Sequence, residues 1–488
     1  MNLLSTNVIM ISLLTSVHLD TLKEMLDKSE LEMYITEAVA TVNHRYKLHY
    51  HITPPVGWMN GPNGFLFYKE EYHLFYQYYP YDTQWGPMHW GHVASTNLID
   101  WRPLPTALRP ADEQCFSGSA IDNQGIMVLM YTAHQSTKNP PFYNESQYLA
   151  FSVDGIDFHK YKGNPIAIKP PPGTQDFRDP KVWRHGMHWY VVLGSKTRDQ
   201  RGAAILYRST DMIHWQFQSV LAESSGALGN MWEWPDFFEI NGKFILMISP
   251  RGIIPSGDRF KNTCQTGYIV GTFSYATCQF KQEVGFQELD YGHDFYATHT
   301  AERNGKRYLI AWFGMWESVH PEDADGWVGA MTLVRELDLV GSRILMKPVE
   351  AITSLREETI LEGEFHHNAS IEFEKTGEII VNLDLTENIE LEITGTLGGD
   401  RLSVRWSLDE GKMVVDRMGE IRQVGWEPLD TVIWRIFLDT SSFELFCGEG
   451  EVVFSSRVYP LGEWRVSNRG PQSLHVVAYT LKKKRKAN

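Results

Sequence analysis

The sequence is poor in cysteine and has no residue spacing typical of a metal site. Its four cysteines are scattered through 488 residues and form no CxxC pair: Cys115, Cys264, Cys278 and Cys447. This pattern indicates neither a zinc site nor a disulfide framework, so we expect mostly free, buried thiols. We also expect no metal or organic cofactor.

Positive charge is in short supply as well. Lys and Arg number 45 against 60 Asp and Glu, a formal net charge of −15 at pH 7. Nucleic acids and anionic membrane surfaces require a positive field, so the charge argues against both as partners. A neutral small ligand is indifferent to it. The sequence indicates no oligomeric state.

Long hydrophobic runs are missing. The apolar stretch Val8–Leu14 is too short to span a bilayer but long enough for the core of a secretory signal. No Lys or Arg precedes it, which weakens that interpretation. Residues 1–20 are a candidate signal peptide and the expected localisation is secreted, with a cytoplasmic protein and a packed or disordered N-terminus as the alternative.

Aromatic residues, by contrast, are abundant and a long-range repeat orders them. The segments Ser95–Trp101, Ser152–Phe158 and Ser209–Trp215 each begin 57 residues after the preceding copy and end in a ring. Five ring-rich segments look like β-hairpins: Gly64–Gln77, Ser119–His134, Pro180–Ser195, Pro235–Pro250 and Thr300–Phe313. Radial repetition of five such units predicts a five-bladed β-propeller, and a stack of β-sandwiches is the alternative.

The repeat stops near Thr353, where longer alternating runs predict an antiparallel β-sandwich. The fold class is therefore all-β with an N-terminal helix, which the helical spacing of apolar residues after Thr21 indicates. The predicted domains are a helical segment at 21–48, a propeller catalytic domain at 49–352 and a sandwich at 353–488.

Short polar motifs precede the five hairpins at similar intervals. Their markers are separated by steps of 56, 62, 54 and 63 residues: Gly61, Ser117, Asp179, Glu233 and Tyr296. Equivalent positions of inner propeller strands converge on the axis, so we expect one funnel to collect Asp179, Glu233, Arg178 and Asp294. Cleavage of a glycosidic bond needs such converging carboxyl groups. The alternative is that each acid caps a turn or pairs with an arginine.

Eight motifs in order resemble the signatures of glycoside hydrolase family 32: Trp58–Gly64, Phe75–Gln77, Trp85–Gly86, Phe116–Ser119, Arg178–Pro180, Glu233–Asp236, Asp294–Ala297 and Gly329–Thr332. The resemblance runs from about His49 to the C-terminus. It implies a β-fructofuranosidase that cleaves fructosides such as sucrose with retention, and a small carbohydrate as the partner.

The resemblance also implies roles for individual residues. Glu233 would be the acid/base and Asp179 the residue that stabilises the transition state. The fructose pocket would be lined by Asn60, Gln77, Trp85, Phe116, Ser117 and Arg178, with Trp58 and Trp312 as further ring walls. For the rings the alternative is core packing, and for Gln77 and Ser117 it is a turn or strand hydrogen bond.

Two departures from the family pattern matter. Gly61 stands where the family has its nucleophilic Asp, and glycine cannot form a covalent intermediate. Trp234 stands where the family usually has Cys, and we expect it to shift the tuning of Glu233 without removing a reacting group. One alternative is that water enters the vacant space at Gly61 and attacks directly with inversion, in which case azide or formate should restore turnover.

Three functions follow as hypotheses. The first is a sucrose-cleaving β-fructofuranosidase by descent, with activity impaired by Gly61. The second is a non-catalytic protein that binds sucrose or another fructoside. The third is a cytosolic sucrose-6-phosphate hydrolase, because the segment Tyr46–Pro55 looks like that of bacterial members of the family.

Overall fold

Five antiparallel sheets of consecutive strands follow one another along the first part of the chain. The computed structural model describes residues 26, 28–140, 142–170 and 176–482. The strands run in chain order as β1 (Gly57–Tyr68), β2 (Glu71–Tyr79), β3 (His89–Ser95), β4 (Arg102–Leu108), β5 (Gln114–Asn123), β6 (Ile126–Ser136), β7 (Tyr143–Ser152), β8 (His159–Lys160), β9 (Phe177–His185), β10 (His188–Lys196), β11 (Gly202–Ser209), β12 (Gln216–Glu223), β13 (Met231–Ile240), β14 (Lys243–Arg251), β15 (Gly267–Ser274), β16 (Gln279–Glu288), β17 (Tyr296–Arg303), β18 (Lys306–Trp312), β19 (Trp327–Val328), β20 (Arg335–Val340) and β21 (Arg343–Pro348).

Each sheet takes four of these strands in sequence order. Sheets 1 to 5 begin with β1, β5, β9, β13 and β17, and sheet 5 contains β17, β18, β20 and β21. The short β19 leaves sheet 5 and pairs in parallel with β1. All five predicted hairpins are present as the first two strands of a sheet.

The first strands of the sheets contact one another in a cyclic order. β1 contacts β5, β5 contacts β9, β9 contacts β13, β13 contacts β17, and β17 contacts β1. The second strands are buried on both faces, as in β10, where Val191, Val192 and Leu193 are 0% exposed. Neighbouring sheets therefore cover each other, an arrangement consistent with a β-propeller.

The 57-residue repeat forms the same turn in sheets 1, 2 and 3. In the first copy the Ser95 hydroxyl accepts the N–H of Leu98, and the Asn97 side chain accepts two further N–H groups. Ser152 with Asp154, and Ser209 with Asp211, make the corresponding bonds. Asn or Asp and Ser are needed because their side-chain oxygens replace backbone acceptors in a tight turn.

Two six-stranded antiparallel sheets form the C-terminal part. Their strands are β22 (Arg356–Phe365), β23 (Ser370–Phe373), β24 (Gly377–Asn382), β25 (Ile389–Gly395), β26 (Gly398–Gly399), β27 (Arg401–Ser407), β28 (Lys412–Arg417), β29 (Glu420–Gly425), β30 (Ile433–Asp439), β31 (Ser442–Cys447), β32 (Val452–Arg457), β33 (Pro460–Leu461), β34 (Trp464–Asn468) and β35 (Leu474–Leu481). Sheet 6 has the order β22-β35-β24-β30-β31-β32 and sheet 7 the order β23-β34-β25-β27-β28-β29, while β26 pairs with β33. Their inner faces share one apolar core, as expected for a β-sandwich.

A helix at residues 28–39 packs on sheet 1. Its Leu31 and Ile35 belong to the same buried apolar cluster as Tyr76 and Tyr78 of β2, and Glu32 accepts the backbone N–H of Thr106. Two 3-10 helices, Pro321–Asp325 and Glu350–Leu355, lie in the connections around sheet 5.

The N-terminal stretch Val8–Leu14 lies outside the described residues, so the predicted signal peptide and secretion stay predictions. Within the described part of the chain, no helix is long and apolar enough to cross a bilayer.

A fully buried chain of charges joins the first five sheets to sheet 6. His51 Nδ1 lies 2.9 Å from Asp439 and Nε2 lies 2.9 Å from Glu444. Arg335 donates to the other oxygen of Glu444 at 2.8 Å and to Asp290 at 2.9 Å. Burial lowers the pKa of His51, but hydrogen bonds to the two carboxylates outweigh it and raise the pKa above its ordinary value. The imidazolium therefore ties the two parts of the chain together.

We predict that His51→Gln lowers the free energy of unfolding by about 3–5 kcal/mol, because it leaves the buried Asp439 carboxylate without its cation, whereas Glu444 keeps Arg335. Since the folded pKa of His51 is raised, its stabilisation is complete below the unfolded value and is lost as pH rises through the folded value. Urea titrations of native and variant protein should therefore differ more in mild acid than in alkali. The exposed His159→Gln is the matched control, and an equal effect of both substitutions would contradict the prediction.

Candidate active site

A cavity of about 640 Å³ opens where the first strands of the five sheets begin. All nine residues predicted for the site line it: Asn60, Gly61, Gln77, Trp85, Phe116, Ser117, Arg178, Asp179 and Glu233. They come from five different strands, β1, β2, β5, β9 and β13, and from the connection between β2 and β3. Residues up to 173 positions apart therefore face one space.

A β-bulge marks the cavity end of each first strand. The pairing of β1 with β2 shifts between Met59 and Pro62, so that one extra residue is inserted at Asn60 and Gly61. The same shift occurs at 115–118 in β5, at 178–181 in β9, at 233–236 in β13 and at 296–298 in β17. A bulge re-aims side chains locally, so neighbouring residues such as Arg178 and Asp179 both reach the cavity.

The Glu233 carboxylate is held by three donors. Arg178 Nη2 donates to Oε1 at 2.9 Å, and Arg251 Nη1 approaches the same oxygen at 3.3 Å. The Tyr296 hydroxyl donates to Oε2 at 2.5 Å. Burial raises the pKa of Glu233, but the two arginines and the tyrosine outweigh it and hold the pKa below its ordinary value. Glu233 is therefore ionised at neutral pH.

The pKa of Asp179 shifts in the opposite direction from that of Glu233. Its Oδ2 accepts the backbone N–H of Trp234 at 3.0 Å, and its own N–H donates to the Thr132 hydroxyl at 3.0 Å. Burial and the negative charge of Glu233 raise the pKa of Asp179 to about 7, although Arg178 opposes this. The proton shared by this acidic pair therefore resides on Asp179 in mild acid.

Arg178 is the hub of the charged lining. Besides Glu233 it contacts Glu145 at 3.2 Å and Asp176 at 3.0 Å. Lys196 pairs with Asp176 at 3.0 Å. Within the described residues, no group of three or more His, Cys, Asp or Glu side chains is placed to hold a metal ion.

Two family models match almost the whole described chain. The glycosyl hydrolases family 32 N-terminal domain matches residues 51–348, and the family 32 C-terminal domain matches residues 349–478. The chain belongs to glycosyl hydrolase family 32. The family predicted from the eight ordered motifs is thus confirmed.

Relatives and solved structures agree with that membership. A sucrose-6-phosphate hydrolase from Zymomonas mobilis is 40% identical over 84% of this chain and 86% of its own length, and a raffinose invertase from Escherichia coli is 36% identical over 85% and 90%. The solved structure of the Bombyx mori GH32 beta-fructofuranosidase BmSUC1 is 55% identical, with a TM-score of 0.93 over 95% of this chain and 100% of that one. A mutant of that enzyme in complex with sucrose matches with the same TM-score and identity.

The expectation for Asp294 in this family 32 protein is wrong. Asp294 is 0% exposed and does not line the cavity. Its carboxylate accepts Arg417 of β28 at 2.6 Å, the N–H of Arg457 at 2.9 Å and the Ser318 hydroxyl at 2.7 Å. It therefore joins sheet 5 to the C-terminal sheets, the structural alternative that the sequence left open.

The two further ring candidates, Trp58 and Trp312, differ in position. Trp312 lines the cavity, whereas Trp58 stands behind the lining and stacks on Trp316 with ring centroids 6.2 Å apart. No sequence pattern marks five further residues that line the cavity: Glu145, Asp176, Lys196, Arg251 and Trp316. No shared phase marks them, because they lie on later strands or in connections. Tyr296 was recognised only as a phase marker, and its hydroxyl contact to Glu233 was not.

The space beside Gly61 is filled, so the expectation of a vacant volume is wrong. A Cβ atom at position 61 would lie 2.3 Å from Cζ2 and 2.4 Å from Cη2 of Trp234. The indole therefore occupies the place where water, azide or formate was expected to enter. Trp234 therefore also fills the volume beside position 61, in addition to any effect on the tuning of Glu233.

We predict that Asp179→Asn stabilises this family 32 protein at alkaline pH. With its ordinary pKa of 3.8 raised to about 7 in the folded state, Asp179 makes the free energy of unfolding fall as pH rises between these values. Asparagine removes this loss, so the gain should grow from about pH 4 and level off above pH 7, at a size on the order of 4 kcal/mol.

Thermal unfolding at several pH values measures the effect. Glu233→Gln is the matched control with the opposite sign, because the folded pKa of Glu233 is lowered and its stabilisation is present above the unfolded value. A lower melting temperature for Asp179→Asn at pH 8 would contradict the prediction.

Proposed function

We propose that this family 32 chain is a β-fructofuranosidase by descent that binds sucrose or a related fructoside in the cavity and hydrolyses it poorly. One observation carries the proposal: the nine candidate residues line one cavity, yet position 61 contributes no carboxylate to it. The likeness to an insect beta-fructofuranosidase supports the substrate class.

We further propose that sheets 1 to 5 are the blades of a closed five-bladed propeller spanning about residues 49–352, followed by the sandwich at 353–488. The cyclic contacts from β1 through β17 and back to β1 support closure. So does β19, which leaves the last sheet to pair with the first strand. Closure would place the cavity on the propeller axis.

In a retaining reaction, a carboxylate bonds to the anomeric carbon of fructose while the bond to the glucosyl oxygen breaks and that oxygen takes a proton. Water then cleaves the fructosyl intermediate and returns a proton to the acid/base. By family resemblance Glu233 would be the acid/base, Asp179 the stabiliser and position 61 the nucleophile. Gly61 supplies no attacking carboxylate, and the arginines keep Glu233 deprotonated. Both features support slow hydrolysis.

A neutral sugar suits the cavity better than a phosphorylated one. The lining contains the acids Glu145, Asp176, Asp179, Glu233 and Glu317. Its basic side chains Arg178, Lys196 and Arg251 are already paired with these acids. A phosphate dianion would meet no unpaired cation among them, so sucrose is favoured over sucrose 6-phosphate.

Calorimetry with sucrose, together with glucose release over hours, tests the proposal. We predict measurable binding with hydrolysis far below the usual enzymatic range of about 1–10³ s⁻¹. Ordinary turnover would disprove the impairment, and no binding of sucrose would disprove the substrate class. Binding with no product at all would favour the non-catalytic protein, while a preference for sucrose 6-phosphate would favour the third hypothesis.

Trp85 offers a sharper test of the binding wall. Its side chain is 45% exposed, lines the cavity and meets Phe116 edge to face with ring centroids 6.2 Å apart. We predict that Trp85→Ala weakens sucrose binding about tenfold without changing the melting temperature. Phe217→Ala, on β12 and 51% exposed, is the matched control and should leave the affinity unchanged. Unchanged affinity in Trp85→Ala would contradict the role.

A further inference from the structure

The two positions that depart from the family pattern lie against each other. Gly61 is on β1 and Trp234 is on β13, 173 residues later. Any side chain at position 61 would begin 2.3 Å from the Trp234 ring, whereas carbon atoms in contact are normally about 3.5–4.0 Å apart. Even alanine does not fit there.

The Trp234 ring has little freedom to move aside. The residue is 9% exposed and packs in a cluster with Met88, Cys264 and Tyr296. Its backbone is held by the bulge in β13, by a left-handed φ of 52° and by the N–H bond to Asp179. Overpacking a site of this kind displaces side chains and backbone and is destabilising.

We infer that Gly61 and Trp234 form a steric pair in which the indole has taken the volume of the missing carboxylate and become part of the sugar-binding wall. This inference rests on the proposed function for the identity of position 61. The pair prevents a single substitution from restoring the nucleophile, because an aspartate at position 61 would clash with the Trp234 ring. Aspartate becomes compatible only when position 234 carries a small side chain.

The indole also changes what the cavity offers a ligand. Trp234 lines it together with Trp85, Phe116, Trp312 and Trp316, and flat rings of this kind pack against the apolar face of a sugar. An uncharged ring in place of a carboxylate removes a charge from a lining that is already acidic. The site therefore holds a fructoside by contact with rings where the family pattern has a reacting group.

Thermal unfolding tests the steric pair without any catalytic readout. Gly61→Ala should lower the melting temperature by several degrees in the native background and by little or nothing when combined with Trp234→Cys. Gly285→Ala is the matched control, since a Cβ at that glycine meets only the Gln282 amide nitrogen at 3.7 Å. Equal losses from Gly61→Ala in both backgrounds would overturn the steric pair.

Rates of sucrose hydrolysis test whether the Trp234 ring prevents a restored nucleophile from acting. Gly61→Asp alone should gain little because the ring obstructs the new carboxylate, Trp234→Cys alone should gain nothing because it supplies no nucleophile, and the double variant should exceed either single variant by more than about 100-fold. A single Gly61→Asp variant as active as the double variant would overturn the inference. If the melting temperatures show the coupling and the double variant stays inactive, the steric pair stands and the proposed function fails.

Calorimetry distinguishes two roles of the Trp234 ring: it either contacts the bound sugar or excludes it. Trp234→Cys should bind sucrose more weakly than the native chain by about tenfold, because it loses a ring surface. Tighter binding by Trp234→Cys would show that the indole excludes the sugar and would overturn its role in the wall.

Discussion

One extra residue at the start of each of the five first strands is the constraint on which the site depends. In a regular strand, successive side chains point to opposite faces, so neighbouring residues could not both reach the cavity. The bulges remove that alternation and let Arg178 and Asp179, or Glu233 and Trp234, line the same space. Asp179, Trp234 and Ala297 adopt left-handed φ values at these bulges, a strain that costs about 1 kcal/mol or more at each residue.

Hydrogen bonds between sheets hold this strained geometry. The N–H of Asp179 reaches Thr132 of sheet 2, and the N–H of Trp234 reaches Asp179 of sheet 3. The N–H of Ala297 reaches Thr266 at 3.2 Å, beside sheet 4. Each strained residue is thus bonded to the sheet before it, so the position of one carboxylate depends on its neighbours. The ring of Trp234 is set by the same backbone that sets Asp179.

The charges of the site are consistent with the proposed slow hydrolysis. A general acid needs its proton at working pH, but two arginines and a tyrosine keep Glu233 ionised, while burial and the charge of Glu233 raise the pKa of Asp179 to about 7. Under the proposed function, position 61 contributes no carboxylate, so the lining carries one negative charge fewer than the family pattern implies. The electrostatics and the steric pair of Gly61 with Trp234 therefore both support the proposed slow hydrolysis.

The sequence by itself determined the family, the five hairpins and the phase of the site, because turns and strand periods are local and a repeat displays them several times. The phase of the repeat indicated one cavity for Gly61, Ser117, Arg178, Asp179 and Glu233, and the family resemblance added the other four lining residues: Asn60, Gln77, Trp85 and Phe116. The phase of the repeat wrongly placed Asp294 in the cavity. Its carboxylate instead accepts hydrogen bonds from Arg417 and Arg457 of the C-terminal sheets. No local pattern could reveal those partners, more than 120 residues away. Only the tertiary structure decided that the space at Gly61 is filled, since contact between β1 and β13 depends on how separate sheets pack.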